Sequence, residues 1–593
     1  MKENQSSMTN YLFICEIGPI DEFVQETRKT VDFWGASFVF SFLMSHVAKE
    51  IKAQGGTIFL PYLDDDPLVS DKGKVTCGSV PDRIYAIIKG DKKDEFRKVL
   101  NIAIQEGVKR LIDEIKKEGS LTGVTLNEGE ITEFFNFFYI FHEIKGDKPD
   151  YDEFLEAERK ISIRYALRPF EQLSVEMDKW KKCDLCGKRK MVYEVRRDFT
   201  PGAEFHNVER ICSVCIIKRF LPDGIKGMFG NNKGVEFIEP AYKSTSDIAA
   251  IPIITHLNKL EYTTDCYDNV KTLVEKVKQE YREKLKEESK RVGKGIIPDI
   301  DEGRSFFDVS LPSLRNFREE YRKCEKTIKE TNKDCVPLRW LDRPFFSVVY
   351  MDGDNMGDIL KANKDNFPDY VSSVSKLIAS FSRGVYDIIT KKYDGQLIFA
   401  GGEDITFIIH PEFLLECISE LATSYNKIFQ QDNLTRDNAN MFTLSAGAVI
   451  AYHKYPLSRV IKNSYKMLTE HAKSHPNKDA TAISLIKGHT EVLRFSISNT
   501  LIDNLIDLKG LVLKSHISRT TPYRIYESKE ILQSISDDDS RRNYLRSILE
   551  ATRDLPRDID IEELVAILMR FGDIDTMIDA LLFARFLAGE RDA

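Results

Sequence analysis

The sequence predicts a multidomain α+β protein, and three observations lead to that fold class. The chain has 593 residues, which is too long for one hydrophobic core and suggests about four domains. In its second half, short apolar runs typical of strands alternate with segments of helical period. Two of these strands end in acidic, glycine-containing turns. The best-defined domain therefore also carries the candidate chemistry.

The elements of this part follow the order β-α-β-β-α-β, which is the ferredoxin-like plan. The segment between the first two strands has apolar residues at helical spacing. It predicts a crossover helix that joins two parallel, adjacent strands. A hairpin then adds the third strand, and further helices and strands follow. The predicted strands cover 345–350, 396–399, 404–409, 442–451 and 480–486, and the predicted helices cover 371–389, 411–429 and 457–472.

Carboxylates are concentrated in the two turns. Asp352 and Asp354 follow the first strand, and Glu403 and Asp404 follow the second. Adjacent strands of one sheet would bring these groups together. Clustered hard oxygen ligands suit Mg²⁺ or Mn²⁺ that is bound partly by protein and partly by a nucleotide triphosphate. We expect Asp352, Glu403 and Asp404 to hold metal, with Asp354 and the Gly353 carbonyl as further candidates.

The glycine pair Gly401-Gly402 is explained by the geometry of the turn and by the approach of phosphates. Glycines make a tight hairpin turn and leave the backbone bare where phosphates approach closely. The alternative is that Gly401 to Asp404 form only a solvated turn. A second acidic turn one crossover upstream argues against that alternative.

Several motifs resemble those of the large palm-domain subunit of type III CRISPR effector complexes. In the second half these motifs are Asp-Gly-Asp-Asn-Met-Gly at 352–357, Gly-Gly-Glu-Asp at 401–404, Ser-Ala-Gly at 445–447, His-Lys-Tyr-Pro-Leu at 453–457 and Ala-Lys at 472–473. Segments 18–23, 28–37, 60–62 and 80–83 look like the first, non-catalytic palm of the type III-B (Cmr) branch. The resemblance implies two ferredoxin-like palm domains, of which the second is catalytic.

The resemblance also implies an activity, that of a target-RNA-activated nucleotidyltransferase. Such an enzyme makes a second messenger from ATP, most simply cyclic oligoadenylate. Two ions would activate an acceptor hydroxyl and neutralise the departing pyrophosphate, with in-line attack on the α-phosphate. Lys473 lies where the family presents a basic group to phosphates, although a plain surface lysine is the alternative. Ser445 and Gly447 are candidates for lining the adenine pocket.

The chain departs from the family pattern in two ways. Glu403 stands where the usual pair is Gly-Gly-Asp-Asp, so one carboxylate is a methylene longer. Metal binding should survive this change, but the product could differ. In addition, no His-Asp dipeptide occurs among the ten histidines. We therefore expect no His-Asp nuclease domain in this chain and no cleavage of single-stranded DNA.

Two further functions stay open. The same palm could join AMP to a non-nucleotide acceptor such as S-adenosylmethionine. The acidic run Asp64-Asp65-Asp66 would then receive the sulfonium cation, although a solvated loop is the commoner meaning of such a run. Alternatively the chain is a scaffold subunit with an inactive palm. Four acidic residues in two well-placed turns argue against that last alternative.

Four of the ten cysteines form a separate motif. Cys183-x-x-Cys186 and Cys212-x-x-Cys215 are paired knuckles that suit a tetrahedral structural Zn²⁺. We expect this zinc to hold a small insert between the palms. The predicted domains are a first palm-like domain at 1–175, the zinc insert at 176–225, a helical linker at 226–340, the catalytic palm at 341–495 and a C-terminal helical bundle at 496–593.

Charge and hydropathy limit the partners. A net charge of −8 argues against a surface that is one large nucleic-acid patch. In the family, CRISPR RNA and target RNA are held mainly by partner subunits. The segment from Phe33 to Ala48 is short for a membrane span and contains His46, so we expect a buried helix. The first ten residues lack a signal-peptide apolar region, and we expect a cytoplasmic protein without a membrane partner.

Overall fold

A computed structural model of the chain describes two sheet-containing domains, a four-cysteine unit and two groups of helices. The described residues are 9–117, 121, 123–167, 181–196, 208–229, 234–253, 265–292, 304–307, 311–331, 340, 343–515, 517, 520–551 and 560–589. The predicted boundaries near 175 and 340 lie next to or within the gaps between these ranges. The division into domains therefore stays a prediction.

The first domain contains a four-stranded antiparallel sheet in the order β2-β4-β1-β5. Alternate residues of β1 face opposite sides, as in any strand. Phe13 and Cys15 pack in the core with α2 and α4, whereas Leu12 and Ile14 pack with α6. The elements are β1 Asn10–Gly18, α1 Ile20–Gln25, α2 Thr30–Ala53, β2 Thr57–Leu60, α3 Pro67–Ser70, β3 Gly73–Val75, β4 Arg83–Lys89, α4 Lys93–Lys116, α5 Glu128–Phe134, β5 Asn136–Ile144 and α6 Tyr151–Ala166.

Helix α2 is the most apolar helix of this domain. Among the described residues it is the one helix long and apolar enough to cross a membrane, with a mean hydropathy of 1.3. However, 83% of that apolar window is buried inside the protein. Its side chains pack between the first sheet and the strand Gln396–Gly401 of the second domain. The prediction of a buried helix here is confirmed.

The second domain contains a six-stranded sheet in the order β10-β11-β9-β12-β13-β14. Helices α13 and α14 cover one face, and α15 together with α2 covers the other. All five predicted strands and all three predicted helices are present. The elements are β9 Phe345–Gly353, α12 Met356–Ala362, α13 Asp369–Tyr386, β10 Gln396–Gly401, β11 Asp404–Ile409, α14 Leu414–Gln431, β12 Leu444–Tyr452, α15 Leu457–Lys466, β13 Ala480–Lys487 and β14 Thr490–Ser498.

One prediction about this sheet is wrong. Strands β9 and β10 are not neighbours, because β11 lies between them and pairs antiparallel with both. The physical reason is the tight hairpin, which returns the chain directly beside β10 and leaves the far edge of β11 free for β9. The acidic turns still meet, since Ile405 pairs with Met351 and so places Asp404 next to Asp352.

The two domains have the same strand order. The first domain contributes four strands in chain order, β1, β2, β4 and β5, and across its sheet they lie in the order β2-β4-β1-β5. In the second domain, β9, β10, β11 and β12 lie in the matching order β10-β11-β9-β12. Helices follow the first and third strands of each set. The domains are therefore topological copies.

The remaining described elements are small strands and helices. Strand β3 pairs with β8, and β6 pairs with β7 in the four-cysteine unit. The C-terminal helices pack against β14 and α14 through one continuous core. These elements are β6 Tyr193–Arg196, β7 Val208–Ile211, α7 Ser213–Phe229, β8 Val235–Phe237, α8 Thr245–Ile251, α9 Asp265–Val292, α10 Arg304–Phe307, α11 Pro312–Thr331, α16 Ile502–Ser515, α17 Thr520–Glu527, α18 Lys529–Ser534, α19 Asp538–Glu550, α20 Ile561–Met569 and α21 Ile574–Leu587.

Candidate active site

Strand β9 carries the first acidic turn to the middle of the sheet. Its buried residues hold it between β11 and β12, and Asp352 pairs with Ser445 of β12. The backbone N–H of Asp354 donates to the Thr443 carbonyl at 2.9 Å. Asn355 then turns the chain into α12 with a φ of 61°. This local geometry leaves the Asp352 side chain about one quarter exposed, next to the strand that carries Asp404.

The second acidic turn is the β10–β11 hairpin. Gly401 pairs with Asp404, so only Gly402 and Glu403 form the turn, and Gly402 has a φ of 60°. The Glu403 side chain lies directly over Gly353. A Cβ atom at Gly353 would be 2.9 Å from the Glu403 Cβ and 3.2 Å from its carboxyl carbon. Glycine is thus required at position 353 because another side chain fills that space.

Three carboxylates converge here with one nearby cation. Loss of bulk water raises the pKa of Glu403 to about 8, the Asp352 carboxylate adds to the shift, and Lys473 opposes it. Asp404 has solvent-accessible surface at the pocket, although protein atoms surround its carboxyl group. Loss of bulk water raises its pKa well above the usual value, and Asp352 and Glu403 raise it further. Mutual repulsion of this kind favours binding of a multivalent cation.

Lys473 contacts the first acidic turn directly. Its ammonium group donates to the Asp352 carboxylate and, at 2.9 Å, to the Gly353 carbonyl. Both side chains are about one quarter exposed. The prediction that Lys473 presents a positive charge at this site agrees with its position, whereas its contact with phosphate stays a prediction.

Asp354 has a different environment from the other three acidic residues. It is 1% exposed, and its carboxylate accepts hydrogen bonds from Ser445 at 2.9 Å, Thr443 at 3.0 Å and the backbone N–H of Asp479 at 3.1 Å. These bonds fix the turn to β12 and to the loop before β13. Asp354 therefore supports the turn in this structure, and a catalytic role for it stays a prediction.

The two residues predicted to line an adenine pocket are enclosed by neighbouring protein atoms in this structure. Ser445 is fully buried and bonded to Asp354. A Cβ atom at Gly447 would be 2.1 Å from the Leu468 backbone nitrogen and 2.5 Å from the Ser464 carbonyl oxygen. Gly447 therefore allows the end of the α15 helix to pack closely on the sheet, and the structure does not bring it to the cleft.

The first domain closes over the glycine pair. Between β3 and β4, the Gly78 carbonyl accepts from the Ala400 N–H at 3.1 Å. A Cβ atom at Gly401 would be only 2.5 Å from the Ser79 carbonyl oxygen. On the other side, the Ser382 hydroxyl donates to the Gly402 carbonyl at 2.7 Å. The pair thus lets two domains meet at the hairpin, a role that the sequence did not reveal.

An apolar pocket of about 170 Å³ lies beside the hairpin, with Glu403 and Asp404 at its edge. Both domains contribute to its walls. Its lining includes Leu60, Pro61, Pro81 and Tyr85 of the first domain and Leu360, Val371, Val374 and Ile378 of the second. The sequence suggested only that α13 has an apolar face. The sequence did not indicate that part of this apolar face borders a cleft.

A second cavity, of about 350 Å³, lies on the far side of Gly402. Asp65 and Asp66 line it, but Asp64 does not and instead pairs with Lys52 at 2.8 Å. Asp66 caps α3 by accepting from the Leu68 N–H at 2.9 Å, and Asp65 accepts from the Tyr62 hydroxyl at 3.0 Å. The same cavity is lined by the cations Lys72, Lys74, Arg383 and Lys391. The acidic run is thus split among three environments.

Two family models match the chain. Residues 345–482, which carry both acidic turns, match the second palm domain of Cas10/Cmr2, and residues 12–117 match the N-terminal domain of the CRISPR-associated protein Cmr2. These two stretches therefore match domains of the Cas10/Cmr2 family. This confirms the resemblance that its motifs indicated, and the domain that carries the carboxylates is a palm domain.

Individual relatives resemble the chain over more of its length. The Cmr subunit Cmr2 of Pyrococcus furiosus is 22% identical over 616 residues, and the match covers 85% of this chain and 66% of that relative. A type III-B Cmr-beta structure in the apo state has a TM-score of 0.65 at 14% identity and covers 98% of this chain and 82% of that chain. Cmr-beta bound to cognate target RNA gives 0.63 at 14% identity and covers 99% and 84%. These two structures share the fold.

The four predicted metal-binding cysteines also come together. Cys183, Cys186, Cys212 and Cys215 are all buried, and their sulfur atoms lie within 4.8 Å of one another. The Cys186 and Cys212 sulfurs are 3.9 Å apart. That spacing is close to the one expected around a tetrahedral ion with metal–sulfur bonds of about 2.3 Å. The group could therefore hold a metal ion.

The four-cysteine unit is bonded to the first domain through helix α7. The Lys218 ammonium, buried three residues after Cys215, donates to the Phe23 carbonyl at 2.8 Å and to the Glu26 carbonyl, at the end of α1. Burial opposes ionisation of Asp32, but the adjacent Arg219 guanidinium lowers its pKa to about 2. The cysteine unit is thus part of the first domain's core.

Proposed function

We propose that the chain is the nucleotidyltransferase subunit of a type III CRISPR effector complex. Target RNA would activate it to make a second messenger from ATP, most simply cyclic oligoadenylate. The observation that supports this proposal best is that Asp352, Glu403 and Asp404 lie near one another, with Lys473 bonded to Asp352 and with Glu403 and Asp404 at an interdomain pocket. The family-model match and the palm topology agree with it.

The carboxylate cluster fits two divalent ions by the chemistry of its donors. Three carboxylate side chains lie near one another, and two of them have raised pKa values because of lost hydration and mutual repulsion. Mg²⁺ or Mn²⁺ would supply activation of an acceptor hydroxyl and neutralisation of the triphosphate. Asp352, Glu403 and Asp404 would bind the ions, and Lys473 would add positive charge where pyrophosphate leaves.

The apolar pocket at the hairpin suits the base of the reacting ATP. Its volume of about 170 Å³ is sized for a nucleobase rather than for a whole nucleotide. A base there would place its phosphates toward Glu403 and Asp404. The acceptor oxygen then attacks the α-phosphorus, the bond to the β-phosphate oxygen breaks, and the hydroxyl proton leaves to solvent.

Partners follow from the family and from the charge. We propose that other subunits of a type III-B complex, rather than this chain alone, hold CRISPR RNA and target RNA. The net charge of −8 agrees with that arrangement. Such a complex would work in the cytoplasm.

The test is mass spectrometry of reaction products. The assembled complex is incubated with target RNA, Mg²⁺ and ATP, with and without S-adenosylmethionine. We expect RNA-dependent release of pyrophosphate and a cyclic oligoadenylate ladder. Absence of nucleotide and metal binding in the assembled complex would instead support the inactive scaffold.

A second candidate function is the joining of AMP to S-adenosylmethionine. The observation that favours it is the Asp65 carboxylate on the wall of the 350 Å³ cavity, which shares Pro61, Pro81 and Gly402 with the base pocket. A sulfonium there would lie near a negative charge. The four cations on the same walls favour a polyanionic acceptor instead, and for that reason cyclic oligoadenylate stays the first candidate.

Asp65→Asn separates the two products. If the acceptor is a sulfonium, we expect its apparent affinity to fall about tenfold, because a favourable ion contact in a partly closed pocket is lost. Formation of an oligoadenylate should not change. The matched control is Asp64→Asn, since Asp64 is outside the cavity. An S-adenosylmethionine conjugate whose yield is equal in both variants would contradict the role given to Asp65.

We propose that the cysteine group binds zinc. Metal analysis of the freshly purified chain should find about one tightly held Zn²⁺. Replacing Cys183 and Cys186 together should remove it and lower the thermal midpoint, because α7 and its Lys218 anchor to α1 would loosen. Cys417→Ala, at a buried cysteine in α14, is the control that retains zinc. A zinc-free wild type would remove this site.

A further inference from the structure

One buried hydroxyl beneath the carboxylates has no described partner. Tyr425 of α14 is fully buried, and its ring makes edge contacts with Phe381 and Phe429 at centroid distances of 5.2 and 5.1 Å. The hydroxyl oxygen has no hydrogen-bond partner among the described residues. Phenylalanine would pack as well in this aromatic cluster. The polar group therefore needs a separate explanation.

The position of the Tyr425 hydroxyl explains why a polar group is present here. A Cβ atom at Gly353 would be 3.0 Å from the Tyr425 oxygen and 3.2 Å from the Glu403 carboxyl carbon. The hydroxyl and the carboxyl group thus adjoin the same point of β9. A tyrosine hydroxyl carries its proton at neutral pH, so this group is a hydrogen-bond donor.

We infer that Tyr425 is a positioning residue whose hydroxyl donates a hydrogen bond to the Glu403 carboxylate when that carboxylate binds a divalent ion. The bond fixes the orientation of a glutamate that has one more rotatable bond than aspartate. Such outer partners orient metal-binding side chains and strengthen metal binding. The inference rests on the metal site of the proposed function, and it goes beyond it by assigning a role to a residue that binds neither metal nor nucleotide.

Direct Mn²⁺ binding to the purified full-length chain tests the inference without turnover. Free Mn²⁺ is measured by electron paramagnetic resonance in wild type, Tyr425→Phe and Tyr370→Phe. Tyr370 is the matched control, because it is also a buried tyrosine of this domain whose hydroxyl has no partner among the described residues. We expect Tyr425→Phe to weaken Mn²⁺ binding about tenfold and Tyr370→Phe to leave it unchanged. Both variants should keep the wild-type melting temperature without metal.

A double-mutant cycle with Glu403→Asp identifies the acceptor. The shorter side chain does not reach the hydroxyl in the same way, so Tyr425→Phe should have less effect on Mn²⁺ affinity in that background. Equal Mn²⁺ affinity in wild type and Tyr425→Phe would overturn the inference, as would an undiminished effect in the Glu403→Asp background. A wild type that binds no Mn²⁺ would instead refute the proposed metal site.

Discussion

Replacing Asp352 with alanine is expected to lower product formation at least about a thousandfold. The loss of metal-based stabilisation of the transition state is several kcal/mol, and about 4 kcal/mol corresponds to that factor. The double variant Glu403→Ala/Asp404→Ala should behave in the same way. Products are quantified by mass spectrometry in the assembled complex with saturating ATP and Mg²⁺.

Stability should move in the opposite direction from activity. Burial and the neighbouring carboxylates raise the pKa values of Glu403 and Asp404 in the metal-free protein, so ionised carboxylates are unfavourable there. The double variant Glu403→Ala/Asp404→Ala removes that cost, so its melting temperature without metal should be unchanged or higher. Asp64→Asn, at an exposed residue paired only with Lys52 among the described contacts, is the control for both readouts. Near wild-type product from Asp352→Ala would refute the catalytic assignment.

Much of the second domain was predictable because its signals are local. Helical spacing in α13, apolar runs in β9 and β12 and the two-glycine turn each depend on neighbouring residues. The meeting of the two acidic turns was predictable from those elements. The order of strands was not, because the placement of β11 between β9 and β10 depends on which strand edge the hairpin leaves free.

The structure places Asp352, Glu403 and Asp404 near one another, as predicted, but it gives Asp354 and Ser445 structural contacts. Asp354 and Ser445 are polar residues next to active-site residues, and sequence alone does not say whether they face ligand or each other. Here they bond to each other at 2.9 Å. The sequence did not identify Tyr425 as a functional candidate. A tyrosine among apolar helix positions has the same pattern as a core residue, and only the structure shows where its hydroxyl lies.

The glycines show the same limit. The two-glycine turn suggested that the backbone at Gly401 is bare for phosphates, whereas the structure puts the backbone of the first domain against it. Whether a glycine accommodates a ligand, a side chain or another domain depends on contacts far away in sequence. Gly353 and Gly447 make the same point, because side-chain atoms fill one position and helix backbone the other.

Gly401→Ala is therefore expected to lower product formation about a hundredfold. The backbone of Gly401 does not require a positive φ, so alanine is permitted there by conformation. Its Cβ, however, would be 2.5 Å from the Ser79 carbonyl oxygen, and backbone on both sides cannot yield without separating the hairpin from the first domain. A displacement of about 1 Å at a catalytic centre can cost a factor of that size.

Hydrogen exchange and product analysis together check this expectation. Amides of residues 76–82 should exchange faster in Gly401→Ala, because the Ala400–Gly78 bond at 3.1 Å and its surroundings open. Gly384→Ala is the matched control, since a Cβ there meets nothing within 4 Å and alanine favours helix. Mn²⁺ affinity should change little in either variant, because all three carboxylates belong to the second domain. If Gly401→Ala shows unchanged hydrogen exchange and full activity, the domain contact does not shape the cleft. If exchange is faster, product is lost and Mn²⁺ binding is intact, the defect lies in the contact by which the first domain completes the cleft.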